Sequence, residues 1–265
     1  MSQGPLPTTA SADAPIPAPV DPAARPPTSF LLAALRQAGD RRASQRRHWR
    51  GVLASRADRY GLEPSAPARW AAGLFQEHDA RDVLELGAGQ GRDSVHFARL
   101  GMHVQALDFA ESGAEAIRAK GRDADLAGSL EAAVHDCCEP LPFADASFDA
   151  CYSHMLFCMA LTTPQLEQLS AEVHRVLRPG GLHVYTARTT ADPDYAVGPA
   201  HGDDMFESGG FVVHFFSREL VERLAHGFTL LEVAEFEEGD FPRRLFRVAQ
   251  RRSEASPHPE RHEGA

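Results

Sequence analysis

Asp82-Val83-Leu84-Glu85-Leu86-Gly87-Ala88-Gly89-Gln90-Gly91-Arg92-Asp93-Ser94 is the stretch whose reading decides the fold. It begins as a short apolar run, the pattern of a strand buried on both faces. Glycines then fall at alternate positions, and a helical pattern follows through Val95, Ala98 and Leu100 to a stop at Gly101. A strand, a glycine turn and a helix start make a nucleotide cradle. The glycines let backbone N–H groups approach a ligand, and the helix start adds unpaired donors.

Outward from that stretch, strands alternate with helices. Ser65 is placed to cap a helix with Pro67 in its first turn. A second strand, Met102 to Leu107, ends in Asp108, and a helix runs from about Glu111 to Lys120. A third strand, about Leu130 to His135, ends in Asp136. A fourth spans about Phe148 to Ser153. Thr163 is expected to cap the next helix, whose first residue is Pro164. Arg178-Pro179-Gly180-Gly181 stops it and turns into a fifth strand, Leu182 to Ala187. Ser217 starts a helix to about Ala225. Two strands, about Thr229 to Phe236 and Arg243 to Ala249, then make a hairpin. The order predicts an α/β fold: a doubly wound seven-stranded sheet, mostly parallel with an antiparallel C-terminal edge hairpin, and helices on both faces.

The 265 residues divide into four expected parts. Residues 1–29 are rich in Pro, Ala, Ser and Thr and read as a disordered tail. Residues 30–64 read as an N-terminal helical segment, 65–252 as the main domain with a cap insertion at 188–216, and 253–265 as a polar tail. Within the helical segment Arg41, Arg42, Arg46, Arg47 and Arg50 surround His48 and Trp49. This is either a solvated basic face or a lid over the ligand. A hydrophobic content of 43% and a charged content of 24% are those of a soluble globular protein. A net charge of −10 argues against a nucleic-acid partner. No apolar run is long enough to cross a membrane, and the N-terminus lacks the pattern of a secretory signal. Cys137, Cys138, Cys151 and Cys158 fit neither a zinc spacing nor a disulfide framework, so a cytoplasmic location and no metal are expected.

In an open α/β sheet the ligand sits beyond the carboxyl ends of the strands. Glu85, Asp108 and Asp136 fall there or nearby. A carboxylate after the second strand can accept from both hydroxyls of a ribose. The dinucleotide fingerprint G-x-G-x-x-G is not met, because Gly87-x-Gly89-x-Gly91 is followed by Arg92.

Over about Ser65 to Arg252 the chain resembles the class I S-adenosylmethionine-dependent methyltransferases. The run from Glu85 to Gly91 matches the family's first motif, Asp108 its ribose-binding acid, and Asp136-Cys137 the pair that meets adenine. Leu141-Pro142-Phe143 with Ser147-Phe148-Asp149, Leu177 to Gly181, and the terminal hairpin match further landmarks. The resemblance implies S-adenosylmethionine as cofactor. It places Glu85, Gly87, Ala88, Gly89, Gln90, Gly91, Asp108, Phe109, Asp136, Cys137 and Ser153 around that cofactor, with Glu85 acting indirectly and Cys137 through its backbone.

The acceptor is then expected to be a small molecule. His154, after the fourth strand, is the candidate general base; its alternative is a ring that caps the next helix or bonds a backbone carbonyl. Trp49, Cys158, Tyr195, His201 and His214 are candidate substrate contacts. A metal site from His201, Asp203 and His214 matches no known spacing and is disfavoured. Met155, Cys158 and Met159 would suit a soft acceptor such as tellurite, selenite, arsenite or a thiol. Gln90-Gly91-Arg92-Asp93-Ser94 is also similar to the corresponding stretch of tellurite-resistance methyltransferases. A non-catalytic cofactor-binding regulator is the competing reading from another class. The acceptor, the oligomeric state and the pathway stay open at this point.

Overall fold

A computed structural model describes residues 43–53, 61–239 and 243–254. The expected tail over 1–29 lies outside them, as do the first part of the 30–64 segment and most of the 253–265 tail. All described elements belong to the compact unit Ala38–Ala265.

Helix α1 covers residues 43–53. Then follow α2 (Ala66–Glu77), β1 (Asp82–Leu86), α3 (Arg92–Arg99), β2 (His103–Asp108), α4 (Glu111–Asp123), β3 (Leu130–Val134) and β4 (Phe148–His154). The chain continues through α5 (Thr163–Val176), β5 (Leu177–Arg188), β6 (Met205–Ser208), β7 (Phe211–His214), α6 (Arg218–Leu224), β8 (Phe228–Glu238) and β9 (Arg243–Arg252). Seven strands form one sheet in the order β3-β2-β1-β4-β5-β9-β8. The first five are parallel; β9 runs antiparallel to both β5 and β8. Chain order reverses between β1 and β4, which is where such a sheet opens a crevice.

Two apolar layers sandwich the sheet. Ala68 and Phe75 of α2, Phe97 of α3 and Ile117 of α4 pack with Val83, Val104, Ala150 and Tyr152 on one face. Leu166, Leu169 and Val173 of α5 and Val221 and Leu224 of α6 pack with Leu84, Leu86, Cys151 and Tyr185 on the other. The strands are apolar on both sides because both sides are covered.

Three local differences have physical causes. The residue that caps α5 is Thr162, one before the expected Thr163. Its N–H donates to Gln165 Oε1 at 2.9 Å. The Pro-Gly-Gly turn is a bulge inside a longer β5: Phe148 pairs Leu177 while Ala150 already pairs Leu182. Gly180 there has φ +78°, and a Cβ on Gly181 would lie 2.8 Å from the Arg178 carbonyl oxygen. The cap holds a small hairpin of its own, with β6 and β7 joined by Gly209 and Gly210, both at positive φ. A Gly-Gly pair between apolar runs is a hairpin signal that the linear reading passed over.

Arg188 fastens the cap. Its guanidinium donates to both oxygens of Asp192 and, at 2.6 Å, to Asp194, and it lies 5.1 Å from the Phe215 ring centroid. Asp192 Oδ2 also accepts the Arg244 N–H of β9 at 2.9 Å.

Candidate functional site

A cavity opens at the carboxyl ends of β1, β2 and β3. It is lined by Leu86, Gly87, Asp108, Phe109, Asp136, Cys137, Cys138, Leu156 and Met159, and roofed by Gln45, Arg46 and Trp49 of α1. It sits at the reversal of strand order.

The glycine loop is built by close approach. Gly87, Gly89 and Gly91 have φ of +70°, +57° and +79°. A Cβ on Gly91 would lie 2.5 Å from Ile117 Cγ1. Gly113, near the start of α4, belongs to the same construction, since a Cβ there would meet the Gly89 carbonyl oxygen at 2.5 Å. Sequence reading missed Gly113, because only the packing of α4 on the loop makes it special.

The loop's N–H groups do not point outward as expected. Gly87 and Ala88 donate to the Leu107 carbonyl at 2.8 and 3.1 Å, Gly89 to Asp108 Oδ2 at 2.8 Å, and Gly91 to the Ala88 carbonyl at 2.9 Å. Strand β2 and its terminal acid take three of them, and the loop itself takes the fourth. A loop that spends these four donors internally is not a phosphate cradle of the kind a helix N-terminus otherwise offers.

Asp108 is nearly buried, and its Oδ1 accepts the Ala110 N–H at 2.9 Å. Burial pushes its carboxyl up to about 6 against those bonds. Each oxygen keeps acceptor capacity beyond its one backbone partner, and the side chain lines the cavity. Phe109 follows it. Asp136 Oδ1 accepts the Cys138 N–H at 3.1 Å, and Asp136 Oδ2 pairs with Arg46. Cys137 and Cys138 are in no disulfide and are half-buried in the wall. One ligand atom each from Asp136, Cys137 and Cys138 lies within 4.8 Å of the others.

Glu85 sits on the opposite face of the sheet from the cavity. In a strand, side chains alternate; Leu86 lines the cavity, so Glu85 turns toward α3, where Ser94 donates to it. Burial and then the Asp93 charge hold it well above the usual carboxylate range. Beside it Asp93 accepts from the Ser65 N–H and Oγ at 2.7 and 2.8 Å, and Ser65 meets the Tyr152 hydroxyl at 3.1 Å. Glu85 thus meets the start of α3 through Ser94.

Gln90 faces α1: its Nε2 donates to the Leu53 carbonyl at 2.9 Å, while Lys120 donates to the Gln90 carbonyl at 2.8 Å. Ser153 is fully buried between Leu86 of β1 and Tyr185 of β5 and does not line the cavity.

The acceptor candidates scatter. His154 shares the face of Tyr152 and lies off the cavity. Thr186 Oγ1 accepts the Met155 N–H at 3.0 Å and lies 2.8 Å from His154 Nδ1. His154 Nε2 lies 3.4 Å from Glu238 Oε2. As arranged, the ring has no open nitrogen for a substrate. Cys158 is a core residue; burial pushes its thiol up to about 11, and it donates to the Met155 carbonyl. Tyr195 donates to Asp204 at 2.9 Å under the cap. His201 stands 3.8 Å from Glu207. His214 is buried against the Leu161 carbonyl at 2.7 Å. Asp203 instead receives the Thr163 N–H and hydroxyl at the start of α5. The His201, Asp203 and His214 side chains thus each meet other partners and form no ligand cluster among the described residues. Trp49 alone of the substrate candidates lines the cavity.

Residues 83–181 match the family model described as a methyltransferase domain. Over that segment the chain resembles the methyltransferases. The chain is 34% identical over 131 residues to 24-methylenesterol C-methyltransferase 2 of Oryza sativa subsp. japonica, covering 49% of this chain and 35% of the relative. It is 32% identical over 120 residues to a malonyl-[acyl-carrier protein] O-methyltransferase of Pectobacterium atrosepticum, covering 45% and 42%. The match thus spans less than half the length of these curated relatives. Among solved structures, the 1,6-didemethyltoxoflavin-N1-methyltransferase of Burkholderia thailandensis, with 1,6-didemethyltoxoflavin and S-adenosylhomocysteine bound, shares the fold at TM-score 0.58 and 19% identity, covering 89% of this chain and 95% of that one.

Proposed function

We propose that this methyltransferase chain binds S-adenosylmethionine and transfers its methyl group to a small-molecule acceptor. The observation that carries the proposal is Asp108: one carboxylate ends β2, bonds Gly89 inside the glycine loop and still faces the cavity beside Phe109 and Asp136. That donor and acceptor set fits an adenosine. Asp108 accepts the ribose hydroxyls, Phe109 lies along the base, and Asp136 accepts from the adenine amino group. Gly87, Ala88, Gly89, Gln90 and Gly91 line the amino-acid end, with the N–H groups of Gly87, Ala88 and Gly89 held by β2. Cys137 adds its backbone, as the family resemblance implies.

The cofactor supplies a sulfonium methyl group already activated for in-line displacement. What remains for the protein is to align the acceptor and exclude water. The roof of α1 and the apolar wall of Leu156 and Met159 supply the second. Small acceptors are favoured by the acidic surface and by the names of the similar enzymes, which act on a sterol, a carrier-bound malonyl group and a toxoflavin precursor.

A second reading rests on the thiols of Cys137 and Cys138 beside Asp136 and Met159: a soft acceptor such as arsenite or tellurite. One experiment addresses both readings. Methyl-labelled S-adenosylmethionine is incubated with amines, phenols, carboxylic acids, thiols, selenite, tellurite and arsenite, and label is counted in solution and headspace. Soluble product supports the first reading, and volatile product the second. Tight cofactor binding without transfer points to a regulator. No binding removes the proposal.

A further inference from the structure

We propose that Arg46 is a built-in competitor for the adenine subsite, making α1 a lid that the cofactor must displace. The inference rests on the cofactor reading above. The basic stretch divides by helical geometry. Gln45, Trp49 and Leu53 recur at four-residue spacing and turn inward, and Arg46 lies beside them. Arg47, His48 and Arg50 are exposed.

Arg46 meets the same two residues assigned to the base. Its guanidinium carbon is 5.3 Å from the Phe109 ring centroid, and it pairs with Asp136 Oδ2. A guanidinium and an adenine ring are alike in the respects that matter here. Both are planar, both lie against an aromatic face, and both present N–H donors to a carboxylate. Each can replace the other without leaving Phe109 or Asp136 unsatisfied, but both cannot be there together.

The rest of α1 is tied at two ends. Gln45 bonds β7 in both directions, donating to the Val212 carbonyl at 3.0 Å and accepting the Val212 N–H at 3.1 Å. Trp49 packs on Phe211 with ring centroids 4.9 Å apart. At the other end the Leu53 carbonyl accepts from Gln90 of the glycine loop. Moving Arg46 therefore disturbs its neighbour Gln45 and, through it, the cap hairpin. Cofactor entry is coupled to the cap by adjacency in one helix.

The test is S-adenosylhomocysteine binding to the full chain, followed by stopped-flow and calorimetry in wild type, Arg46→Ala and Arg46→Gln. Each carries Trp70→Phe, so that Trp49 is the sole tryptophan emitter, and circular dichroism confirms that each is folded. The expected result is association at least fivefold faster and tighter binding in both variants. In wild type the rate rises with salt as the ion pair is screened; in R46A it does not. Binding by wild type with unchanged or weaker affinity in the variants overturns the inference and leaves the cofactor reading standing. No binding by any variant overturns both.

Discussion

Asp108 Oδ2 accepts the Gly89 backbone N–H at 2.8 Å, so the acid that ends β2 holds the glycine loop that follows β1. On the proposed function the same carboxylate also accepts the ligand, so its protonation affects both loop shape and binding. Asp108→Asn keeps the size but puts an amide at one of two positions that each accept a backbone N–H. We expect cofactor affinity to fall by at least tenfold, measured by calorimetry, with a smaller loss of thermal stability.

The pH dependence follows from the same residue. Burial raises the Asp108 carboxyl to about 6, above its ordinary 3.8. The native state then binds a proton that the unfolded state has released, so this group's contribution to stability is present below about pH 4 and lost as pH rises toward 6. The size is on the order of 3 kcal/mol. Cofactor affinity moves the other way, because the charged form is the better acceptor for ribose hydroxyls: it weakens as pH falls below 6. Denaturant midpoints and binding constants measured from pH 4.5 to 7.5 check both slopes, and in D108N both flatten.

Gly91→Ala meets two obstacles. The φ of +79° is costly for alanine, and the new methyl would lie 2.5 Å from Ile117 Cγ1. A loss of roughly 2–3 kcal/mol is expected. In an Ile117→Ala background, which removes Cγ1 and leaves the φ penalty in place, the same glycine substitution should cost less. Chemical denaturation of the glycine variants with and without Ile117→Ala, each against its own parent, separates the terms.

Asp93 is nearly buried and accepts two hydrogen bonds from Ser65, at the start of α2. Asp93→Ala leaves the Ser65 donors without this partner and should cost about 2–4 kcal/mol. Tyr152→Phe, which removes only a hydroxyl contact, should cost about 1 kcal/mol. Unfolding midpoints rank the two.

Arg188→Ala leaves the buried Asp192 carboxylate without its guanidinium partner, and such a break costs roughly 3–5 kcal/mol. The melting temperature should drop by about 10 °C. Limited proteolysis should then cut within 190–210, where wild type resists.

His154→Ala should leave S-adenosylhomocysteine binding intact and lower turnover less than tenfold, because both ring nitrogens already face protein partners. A loss beyond a hundredfold, with the alkaline shift of a missing base, would return His154 to the role its position in the chain suggested.

Much of the fold was legible because its signals are local. Apolar runs of five or six residues, glycines at the loop and capping residues before helices each act within a few positions. Repeated in order, they define strands, helices and the sheet they build. The acids at the carboxyl ends of β2 and β3 were legible as cavity candidates because the crevice of an open α/β sheet lies beyond those ends. Strand parity could have moved Glu85 and His154 to the far face. That inference needs to know that Leu86 faces the cavity, which depends on how the sheet is covered. Trp49 was legible as a lid residue only as one of two readings of a basic helix.

By itself the sequence determined the order of elements, the doubly wound class, the glycine loop and the carboxylates at its rim, because each follows from backbone sterics and hydrophobic period along the chain. Only the tertiary structure decided what those groups are bonded to. It turned the N–H groups of Gly87, Ala88 and Gly89 onto β2, made Gly113 a packing requirement, gave the cap histidines partners of their own and brought Arg46 onto Phe109 and Asp136. Those outcomes depend on contacts between residues as many as 90 positions apart, and no local spacing encodes a contact that exists only when two distant surfaces close on each other.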